Sequence, residues 1–377
     1  MITFGRAAAV VSPAAIANNI GAVRRMVGPK VRIMAVVKAN GYGHGIYEAS
    51  RAALEAGADW LGVATVTEGV FLRRWDIMVP ILVLSPAFEE EYENIILNNL
   101  ASTIFNLETA KKLAHVAGYL ERAANVHIKI DTGMNRVGYT GRPEDIAAEI
   151  TEISRLDGIV IQGAYSHFAA SDSNAEFTTE QFARFMHIIE VLENFGLHIP
   201  IKHISNSGGI LGYPRCNLDM VRAGVLIYGL APNSLSEGAT ELARLGFVPA
   251  LTLKSRVAHV KTVKAGETVG YSRNFAAPRD IVVASVPIGY GDGLSRQLSN
   301  RGRVLINGVF CDIIGNVCMD QFMVDATHAN AKLRDEVIII GQSGENRIWA
   351  EDVAAWQGSI NYEVATAISE RVARFYV

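Results

Sequence analysis

Several classes of protein are excluded by what this sequence lacks. Its 377 residues contain three cysteines, Cys216, Cys311 and Cys318, which are too few and too scattered for a disulfide framework or a zinc site. No run of about 18 apolar residues suggests a membrane helix, and no basic segment ahead of an apolar core suggests a signal peptide. We therefore expect a reducing, cytoplasmic environment, no membrane partner and no bound metal.

The sequence also lacks an excess of charge of one sign. The net charge at pH 7 is −3, so bulk electrostatics predict no nucleic-acid partner and no anionic membrane surface as a partner. Half of the residues are hydrophobic, which is ample for a large core and, at this length, for two domains.

Short apolar strands alternate with amphipathic helical stretches over residues 31–224. The predicted strands are 31–37, 59–64, 79–84, 101–105, 125–130, 159–166, 201–205 and 218–223. Helical patterns between them include 48–56, 89–98, 107–122 and 180–195. Eight strand–helix units predict a (β/α)8 TIM-type barrel, and periodicity leaves an open doubly wound sheet as the alternative.

The pattern changes after residue 232. Residues 233–246 have the polar composition of a linker, and strands dominate from residue 250 onward. The predicted strands are 251–263, 281–287, 303–306, 310–314, 323–325 and 336–340, with helices near 350–356 and 362–369. The sequence therefore predicts a barrel domain over residues 1–236 and a mainly β C-terminal domain over residues 237–377.

Lys38 carries the most chemical information of any residue in the chain. It ends the apolar run 31–37 and opens the glycine-rich segment 39–45. An apolar wall disfavours the ammonium form, so the amine can act as a base or as a Schiff-base nucleophile toward an aldehyde cofactor such as pyridoxal 5′-phosphate. Taken alone, a lysine that ends a strand is more often a snorkelling surface residue.

Further candidates follow because the active groups of a barrel come from the carboxyl ends of its strands. Those after strands five to eight are Asp131, Arg136, His167, Ser205, Asn206, Ser207, Arg222 and Gly224. Small residues around Ser207 and at Gly224-Val225 let backbone N–H groups approach a phosphate. Arg222 stays charged and can donate to a pyridine nitrogen, so that nitrogen would stay unprotonated. Carbanion delocalisation into the ring would then be weaker, which favours simple proton exchange. His167, taken alone, is more often a satisfied core histidine.

A series of sequence blocks, taken together, resembles those of the alanine racemases. The blocks lie at residues 35–45 (AVVKANGYGHG), 129–138 (KIDTGMNRVG), 166–169, 206–207, 221–229, 270–273, 289–293, 315–321 and 360–363. They occur in the family's order and span nearly the whole chain. The resemblance implies a barrel followed by a β domain, pyridoxal 5′-phosphate as the cofactor, and a head-to-tail homodimer whose subunits share their active sites.

The resemblance also implies a role for each matched residue. Lys38 would hold the cofactor and act as one base, and Tyr271 of the partner subunit would be the base on the opposite face. His167 and Arg222 would form a hydrogen-bonded catalytic pair beside the cofactor ring. Residues that would contact the cofactor are Lys38, Tyr42, Arg136, His167, Asn206, Ser207, Arg222, Gly224, Val225 and Tyr362. Arg136 and Met319 would bind the substrate, and Lys129 stands where many members carry a carbamylated lysine.

The implied reaction interconverts L-alanine and D-alanine and supplies D-alanine for peptidoglycan. A single base would tend to return the proton to the face it left, so two bases on opposite faces are the direct solution. Tyr362 matches the alanine-selective members, whereas serine-selective relatives carry a smaller polar residue there. Asn135 stands where glycine is common and Ala373 where proline is common, and neither departure is expected to alter catalysis.

Three other functions are weighed against this one. A serine or broad-specificity racemase is the nearest. A non-catalytic carrier involved in pyridoxal-phosphate homeostasis shares the lysine block but lacks the β domain that carries Tyr271 and Met319. A barrel-type amino-acid decarboxylase typically has a cysteine-containing loop and a different phosphate motif.

Overall fold

The computed structural model describes residues 4–233 and 235–377, and the chain divides into two compact units. The first unit comprises Ile20–Gly41 and Ala49–Ile227. The second comprises the chain up to Asn19, Tyr42–Glu48 and Tyr228–Val377. The glycine-rich segment after Lys38 is thus shared between the units. The domain boundary after residue 236 stays a prediction.

The strands of the described residues are numbered β1 to β18 in chain order. They are Ala7–Val11, Arg32–Val36, Trp60–Val63, Ile81–Val83, Ala101–Ile104, Ala124–Lys129, Ile159–Tyr165, Ile201–His203, Met220–Ala223, Leu251–Arg256, His259–Val263, Ile281–Val286, Arg303–Ile306, Val309–Ile314, Phe322–Asp325, Glu336–Ser343, Asn346–Ile348 and Ala373–Tyr376.

The first unit is a nearly closed barrel of parallel strands. Its sheet runs in the order β8-β7-β6-β5-β4-β3-β2-β9, so neighbours in the sheet follow the order of the chain. The two end strands approach each other, since the Asp219 N–H donates to the Lys202 carbonyl at 3.1 Å and the Arg222 N–H to the Ser205 carbonyl at 3.0 Å. The barrel prediction is therefore confirmed, and the open doubly wound alternative is wrong.

The barrel strands are apolar because their side chains face either the barrel interior or the surrounding helices. One interior cluster is built from most of the strands: Met34, Trp60, Leu82, Ala101, Tyr165, Ile201 and Met220. On β6 the pairing with β7 shifts its register between Val126 and His127. Such an irregularity redirects a side chain, and it lies beside the buried histidine that is described below.

Helices cover the barrel and occur in both units. The α-helices are Pro13–Val27, Ile46–Glu55, Val66–Arg74, Tyr92–Leu97, Leu107–Tyr119, Pro143–Ile153, Ala175–Asn194, Ser207–Gly212, Ser236–Arg244, Ala350–Gln357 and Asn361–Thr366. Short 3₁₀ turns lie at Glu89–Glu91, Pro214–Cys216, Val225–Tyr228, Tyr271–Arg273, Tyr290–Asp292 and Arg296–Leu298. Within residues 4–233 and 235–377, no helix is both long and apolar enough to cross a membrane.

One helix lies where the sequence predicted a linker. Ser236–Arg244 falls within residues 233–246, and its Ala239 and Leu242 are buried. These two side chains are three positions apart and so lie on one face of the helix, which packs despite the polar composition of the rest.

The second unit is built on a mainly antiparallel sheet. Its strands run in the order β11-β12-β15-β14-β13-β16-β10-β1-β18, and β17 pairs with β16. The strand predicted at 251–263 is in fact two, because β10 pairs with β1 and β16 whereas β11 pairs with β12. Strand β1, which the sequence analysis did not predict, pairs in parallel with β18 at the edge of this sheet.

Candidate active site

Lys38 follows β2 and begins a turn of left-handed backbone. Ala39 and Asn40 both have φ of 53°, Gly41 has φ of 61° and Tyr42 has φ of 51°. For a residue with a side chain, this conformation costs about 1–2 kcal/mol, so the surroundings must hold the turn in place. Part of that support comes from Glu68, whose carboxylate accepts a hydrogen bond from the Ala39 N–H at 2.7 Å.

The environment of Lys38 favours a neutral amine. Burial lowers its pKa, the nearby Arg136 guanidinium lowers it further, and the Glu68 carboxylate acts in the opposite direction. A lowered pKa increases the share of unprotonated lysine near neutral pH, which is the form that attacks a carbonyl or removes a proton.

Arg222 lies at the end of β9 with 3% of its surface exposed. Its Nη1 donates to Nδ1 of His203 at 2.9 Å and to the His203 carbonyl at 3.2 Å. Its Nη2 donates to the carbonyls of Ser166 (2.7 Å) and Ile204 (3.0 Å) and to Nδ1 of His167 (3.1 Å). All of these bonds use the two terminal nitrogens, so Nε remains as a donor for a further acceptor. Burial lowers the pKa of Arg222 to about 10, which leaves it charged at neutral pH.

His167 is held neutral by the same surroundings. Burial lowers its pKa well below the usual value, and the positive charge of Arg222 adds to the effect. Because Arg222 can only donate, Nδ1 of His167 is the acceptor and the ring proton lies on Nε2. This histidine can therefore donate a hydrogen bond from Nε2.

Lys129 is a second lysine that the barrel buries, with 6% exposed surface. Its ammonium donates to the Ile130 carbonyl at 3.0 Å and lies 5.2 Å from the centre of the Tyr165 ring. Burial, with a contribution from Arg222, lowers its pKa to about 7. Near neutral pH a large share of this amine is therefore unprotonated and nucleophilic.

Asp131 shapes the loop that carries Arg136. Its carboxylate accepts hydrogen bonds from the N–H groups of Gly133, Met134, Asn135 and Arg136 at 2.8–3.0 Å. Burial alone would raise the pKa of Asp131, but these backbone bonds outweigh it and the pKa is lowered. Asn135 has φ of 55°, a left-handed conformation that asparagine and glycine both tolerate, which explains why either residue can stand there.

The barrel unit thus collects an excess of positive charge near Lys38. Lys38, Lys129, Arg136 and Arg222 all act together to lower the pKa of His167. This shared effect requires that each of the four groups lie within electrostatic reach of His167. A cluster of cations of this kind suits an anionic ligand, because a bound anion would offset the repulsion between them.

Small residues after β8 and β9 lie close together in the same unit and are joined by hydrogen bonds. Ser207 is buried, and its hydroxyl accepts hydrogen bonds from the Gly224 N–H (3.1 Å) and the Leu226 N–H (3.5 Å). The Asn206 side chain caps the helix Ser207–Gly212 by accepting from the Gly209 N–H at 3.0 Å. The structure therefore brings together the loop after β8, with Asn206 and Ser207, and the loop after β9, with Gly224 and Val225. The carboxamide of Asn206 is engaged in capping.

In the second unit, three tyrosines lie together. The ring centre of Tyr42 is 5.1 Å from that of Tyr228 and 6.3 Å from that of Tyr362. Burial raises the pKa of Tyr42, and the neighbouring Tyr362 adds to the shift. Tyr42 is therefore a neutral hydroxyl donor at physiological pH. The Tyr362 hydroxyl donates to the Pro232 carbonyl at 3.3 Å.

Tyr271 and Met319 also belong to the second unit and are largely exposed, at 73% and 53%. Tyr271 opens a short 3₁₀ turn in which Ser272 has φ of 61°. The turn is fixed to its neighbour by the Asn316 side chain, which donates to the Tyr271 carbonyl at 2.9 Å. The phenol of Tyr271 is thus presented to solvent on an anchored backbone.

Three residues of these clusters had no role in the sequence analysis. His203 supports Arg222, Tyr228 packs on Tyr42, and Glu68 holds the turn after Lys38. His203 lies on a predicted barrel strand, 201–205, which was the one sequence signal that could have drawn attention to it. Glu68 showed only the local signature of a helix start, since it forms a capping box with Thr65.

Comparison with known proteins gives consistent matches over the full chain. Models of the alanine racemase N-terminal and C-terminal domains match residues 11–232 and 250–376. The curated alanine racemases of Desulforamulus reducens and Methanococcus maripaludis are 43% and 42% identical to this protein. Each match covers 96% of this chain and 96% of the relative. Solved alanine racemase structures from Clostridium difficile 630 and Streptomyces lavendulae superpose with TM-scores of 0.92 and 0.93, at 37% and 33% identity. Both cover 100% of this chain, and 97% and 98% of their own.

Proposed function

Because this chain belongs to the alanine racemase family of isomerases, we propose that it interconverts L-alanine and D-alanine with pyridoxal 5′-phosphate and two bases. The observation that carries the proposal is the group of cationic side chains around His167, with the half-buried amine of Lys38 among them just after β2. This arrangement fits the cofactor, since the phosphate, the phenolate oxygen and the substrate carboxylate are all anionic. When bound, the pyridoxal group withdraws electrons from the α-carbon of the substrate.

In this proposal the barrel unit supplies the anchor and one base. The Lys38 amine holds the cofactor and exchanges a proton with the α-carbon, for which its lowered pKa suits it. The Arg222 Nε–H would donate to the pyridine nitrogen, and the guanidinium would leave that nitrogen unprotonated because it stays charged itself. Arg136 supports the phenolate oxygen and the substrate carboxylate, and His167 donates beside the ring.

Backbone N–H groups and side-chain donors would hold the phosphate. We assign this role to the N–H groups and side chains at Asn206, Ser207, Gly224 and Val225 and to the hydroxyls of Tyr42 and Tyr362. The raised pKa of Tyr42 supports its part, since a protonated phenol donates to a phosphate oxygen whereas a phenolate would repel it.

The second base is Tyr271, donated by the partner subunit of a homodimer. Its exposure of 73% on an anchored turn supports a role that is completed by another chain. Met319, which is also exposed, would accompany it at the substrate carboxylate. If the sites are shared, a monomer is inactive, because each Lys38 then lacks the base on the opposite face.

Lys129 is the candidate for carbamylation. A carbamate would place a carboxylate among the cations and pair with Arg136, and the unprotonated amine that the reaction requires is available at a pKa of about 7. In the cell, we place the reaction in the cytoplasm, where it would supply D-alanine for peptidoglycan.

The decisive experiment measures D-alanine formation from L-alanine by purified protein with added pyridoxal 5′-phosphate, with L-serine in parallel. Rapid racemisation of alanine and slow racemisation of serine is the expected result. No racemisation of either substrate, despite borohydride-stable attachment of the cofactor to Lys38, would move the proposal to another substrate or to a carrier role.

Two further measurements test the second base. Tyr271→Phe should retain the cofactor's absorbance and lose at least about a hundredfold in kcat, a typical contribution of one general base. Activity should also fall in step with dimer dissociation on dilution. An unimpaired Tyr271→Phe variant, or full activity in a proven monomer, would contradict the two-base scheme or the sharing of sites.

A further inference from the structure

We propose that Arg374, on β18, is a positioning residue for the phosphate ligands Tyr42 and Tyr362, because it ties the segment carrying Tyr42 to the segment following the helix that carries Tyr362. The inference rests on the proposed function, in which these two tyrosines bind the cofactor phosphate. It assigns a role to a strand that lies at the edge of the β sheet and that carries none of the motifs of the site.

Every hydrogen bond of the Arg374 guanidinium goes to a backbone carbonyl. Nε donates to Gly43 at 2.8 Å and Nη2 to Ile368 at 2.8 Å. Nη1 donates to Ser369 and to Val372, both at 3.3 Å. The side chain is partly buried, and among residues 4–233 and 235–377 no carboxylate forms an ion pair with it. A cation used in this way gains little from charge pairing, and it joins two separate stretches of backbone, at Gly43 and at residues 368–372.

Gly43 shows how closely the braced segments approach. Its φ is +82°, and a Cβ at this position would lie 2.1 Å from the carbonyl oxygen of Ala365. The backbone of the glycine-rich segment therefore packs directly on the last turn of the helix Asn361–Thr366, with no room for a side chain. Arg374 holds the same glycine from its carbonyl side.

A second residue of β18 contacts the same segment. A Cβ on Gly45, whose φ is +100°, would lie 2.1 Å from the hydroxyl of Tyr376. That hydroxyl also hydrogen-bonds to Glu48, which raises the pKa of Tyr376 in addition to the effect of burial. Two alternate residues of one strand, Arg374 and Tyr376, thus fix the segment at two points.

The tyrosines occupy the positions that this bracing controls. Tyr42 directly precedes Gly43 and has a left-handed φ of 51°, so it depends on its neighbours to keep this conformation. Tyr362 lies on the helix whose last turn receives Gly43 and whose following residues Ile368 and Ser369 accept from Arg374. Loss of the guanidinium should therefore loosen the Tyr42–Tyr362 pair, whose ring centres are 6.3 Å apart.

The test separates phosphate binding from general stability by using two probes. Pyridoxal 5′-phosphate and pyridoxal differ only in the phosphate, and their dissociation constants are measured on the full-length apoprotein by absorbance titration. We expect Arg374→Gln to raise the dissociation constant for pyridoxal 5′-phosphate at least tenfold and that for pyridoxal less than twofold. Arg374→Lys, which retains a donor toward Gly43, should lie between wild type and Arg374→Gln. The matched control is Arg303→Gln, an exposed arginine of the same unit paired with Asp312, and it should change neither constant.

A double-mutant cycle identifies the tyrosine as the intermediary. In a Tyr42→Phe background, Arg374→Gln should weaken the binding of pyridoxal 5′-phosphate by less than half of the fold-change that it causes in the wild-type background. The reason is that the tyrosine hydroxyl that Arg374 positions is already lost. Equal effects in both backgrounds would overturn the role. If Arg374→Gln does not fold, the same cycle is run with Arg374→Lys. The positioning role would likewise be overturned if Arg374→Lys left the ratio of the two dissociation constants, for pyridoxal 5′-phosphate and for pyridoxal, at its wild-type value.

The outcomes also distinguish this inference from the proposed function. A folded Arg374→Gln variant that binds pyridoxal 5′-phosphate like wild type, or that loses both probes equally, refutes the positioning role and leaves the racemase proposal intact. A wild-type protein that binds neither probe refutes the proposed function, and the role of Arg374 with it.

Discussion

Arg222 donates a hydrogen bond from Nη1 to Nδ1 of His203, 2.9 Å away in the interior of the barrel. Since an arginine has no acceptor, His203 carries its proton on Nε2 and donates it to Nδ1 of His127 at 2.9 Å. Burial lowers the pKa of both histidines, that of His127 to about 3. Both imidazole rings are therefore neutral at neutral pH, and Arg222 carries the charge. The His127–His203 pair therefore supports one of the five acceptors that hold the guanidinium, while the others are backbone carbonyls and Nδ1 of His167.

Replacing His203 should therefore affect Arg222. We expect His203→Phe to lower the free energy of unfolding by about 1–3 kcal/mol, because Arg222 Nη1 loses its ring acceptor and His127 loses its donor. His203→Asn, whose side-chain oxygen can stand near the position of Nδ1, should cost less. Urea unfolding of the apoprotein measures both. Equal losses in the two variants would show that ring volume, rather than the hydrogen bond, is what matters.

Glu68 should tune the reactivity of Lys38. Its carboxylate raises the pKa of Lys38 against the effects of burial and Arg136, so Glu68→Gln should lower that pKa further. The rate at which the apoprotein attaches pyridoxal 5′-phosphate, measured by borohydride trapping against pH, should then reach half its maximum at a lower pH, by up to about one unit. Glu55→Gln, which removes an exposed carboxylate paired with Arg51, is the control and should leave the midpoint in place. If Glu68→Gln moved the pH of the half-maximal rate upward, the inferred effect of the Glu68 carboxylate on the pKa of Lys38 would be contradicted.

Lys129 should react with carbon dioxide in a pH-dependent way. Its folded pKa of about 7 means that the amine is mostly protonated below that pH and mostly free above it. With ¹³C-labelled bicarbonate, we expect a carbamate signal in the ¹³C NMR spectrum that grows as the pH rises through about 7 and is absent in Lys129→Met. Lys111→Met, which removes an exposed lysine paired with Glu152, should keep the signal. A signal that survives Lys129→Met would assign the carbamate elsewhere.

Tyr362 should limit the size of the substrate. Its side chain reaches the Pro232 carbonyl and lies beside Tyr42, so a shorter residue leaves space there. For Tyr362→Asn we expect kcat/KM for serine to rise relative to alanine by about tenfold or more, the scale on which pockets discriminate small groups. Tyr119→Asn, at an exposed tyrosine on the barrel helix Leu107–Tyr119, should leave the ratio alone. An unchanged ratio in Tyr362→Asn would refute the steric account.

The order of the chain's elements was open to prediction because it follows from local patterns. Apolar runs of strand length, separated by amphipathic helical stretches, specify parallel strands buried on both faces, and all eight predicted barrel strands are present. The short strands β1, β17 and β18 were missed because they add little periodicity, and the helix Ser236–Arg244 was hidden by a polar composition.

The sequence by itself determined which residues are available for chemistry: a lysine at the end of a strand, an arginine and a histidine after later strands, and small residues near them. Only the tertiary structure decided their state. Burial and neighbouring cations set the pKa values of Lys38 and Lys129, and the partners of Arg222 come from separate strands. The hydrogen bond from Ala39 to Glu68, the packing of Gly43 on Ala365 and the bracing by Arg374 join residues far apart in the chain. Periodicity and turn chemistry are local, whereas desolvation and charge interactions depend on distances that only folding fixes.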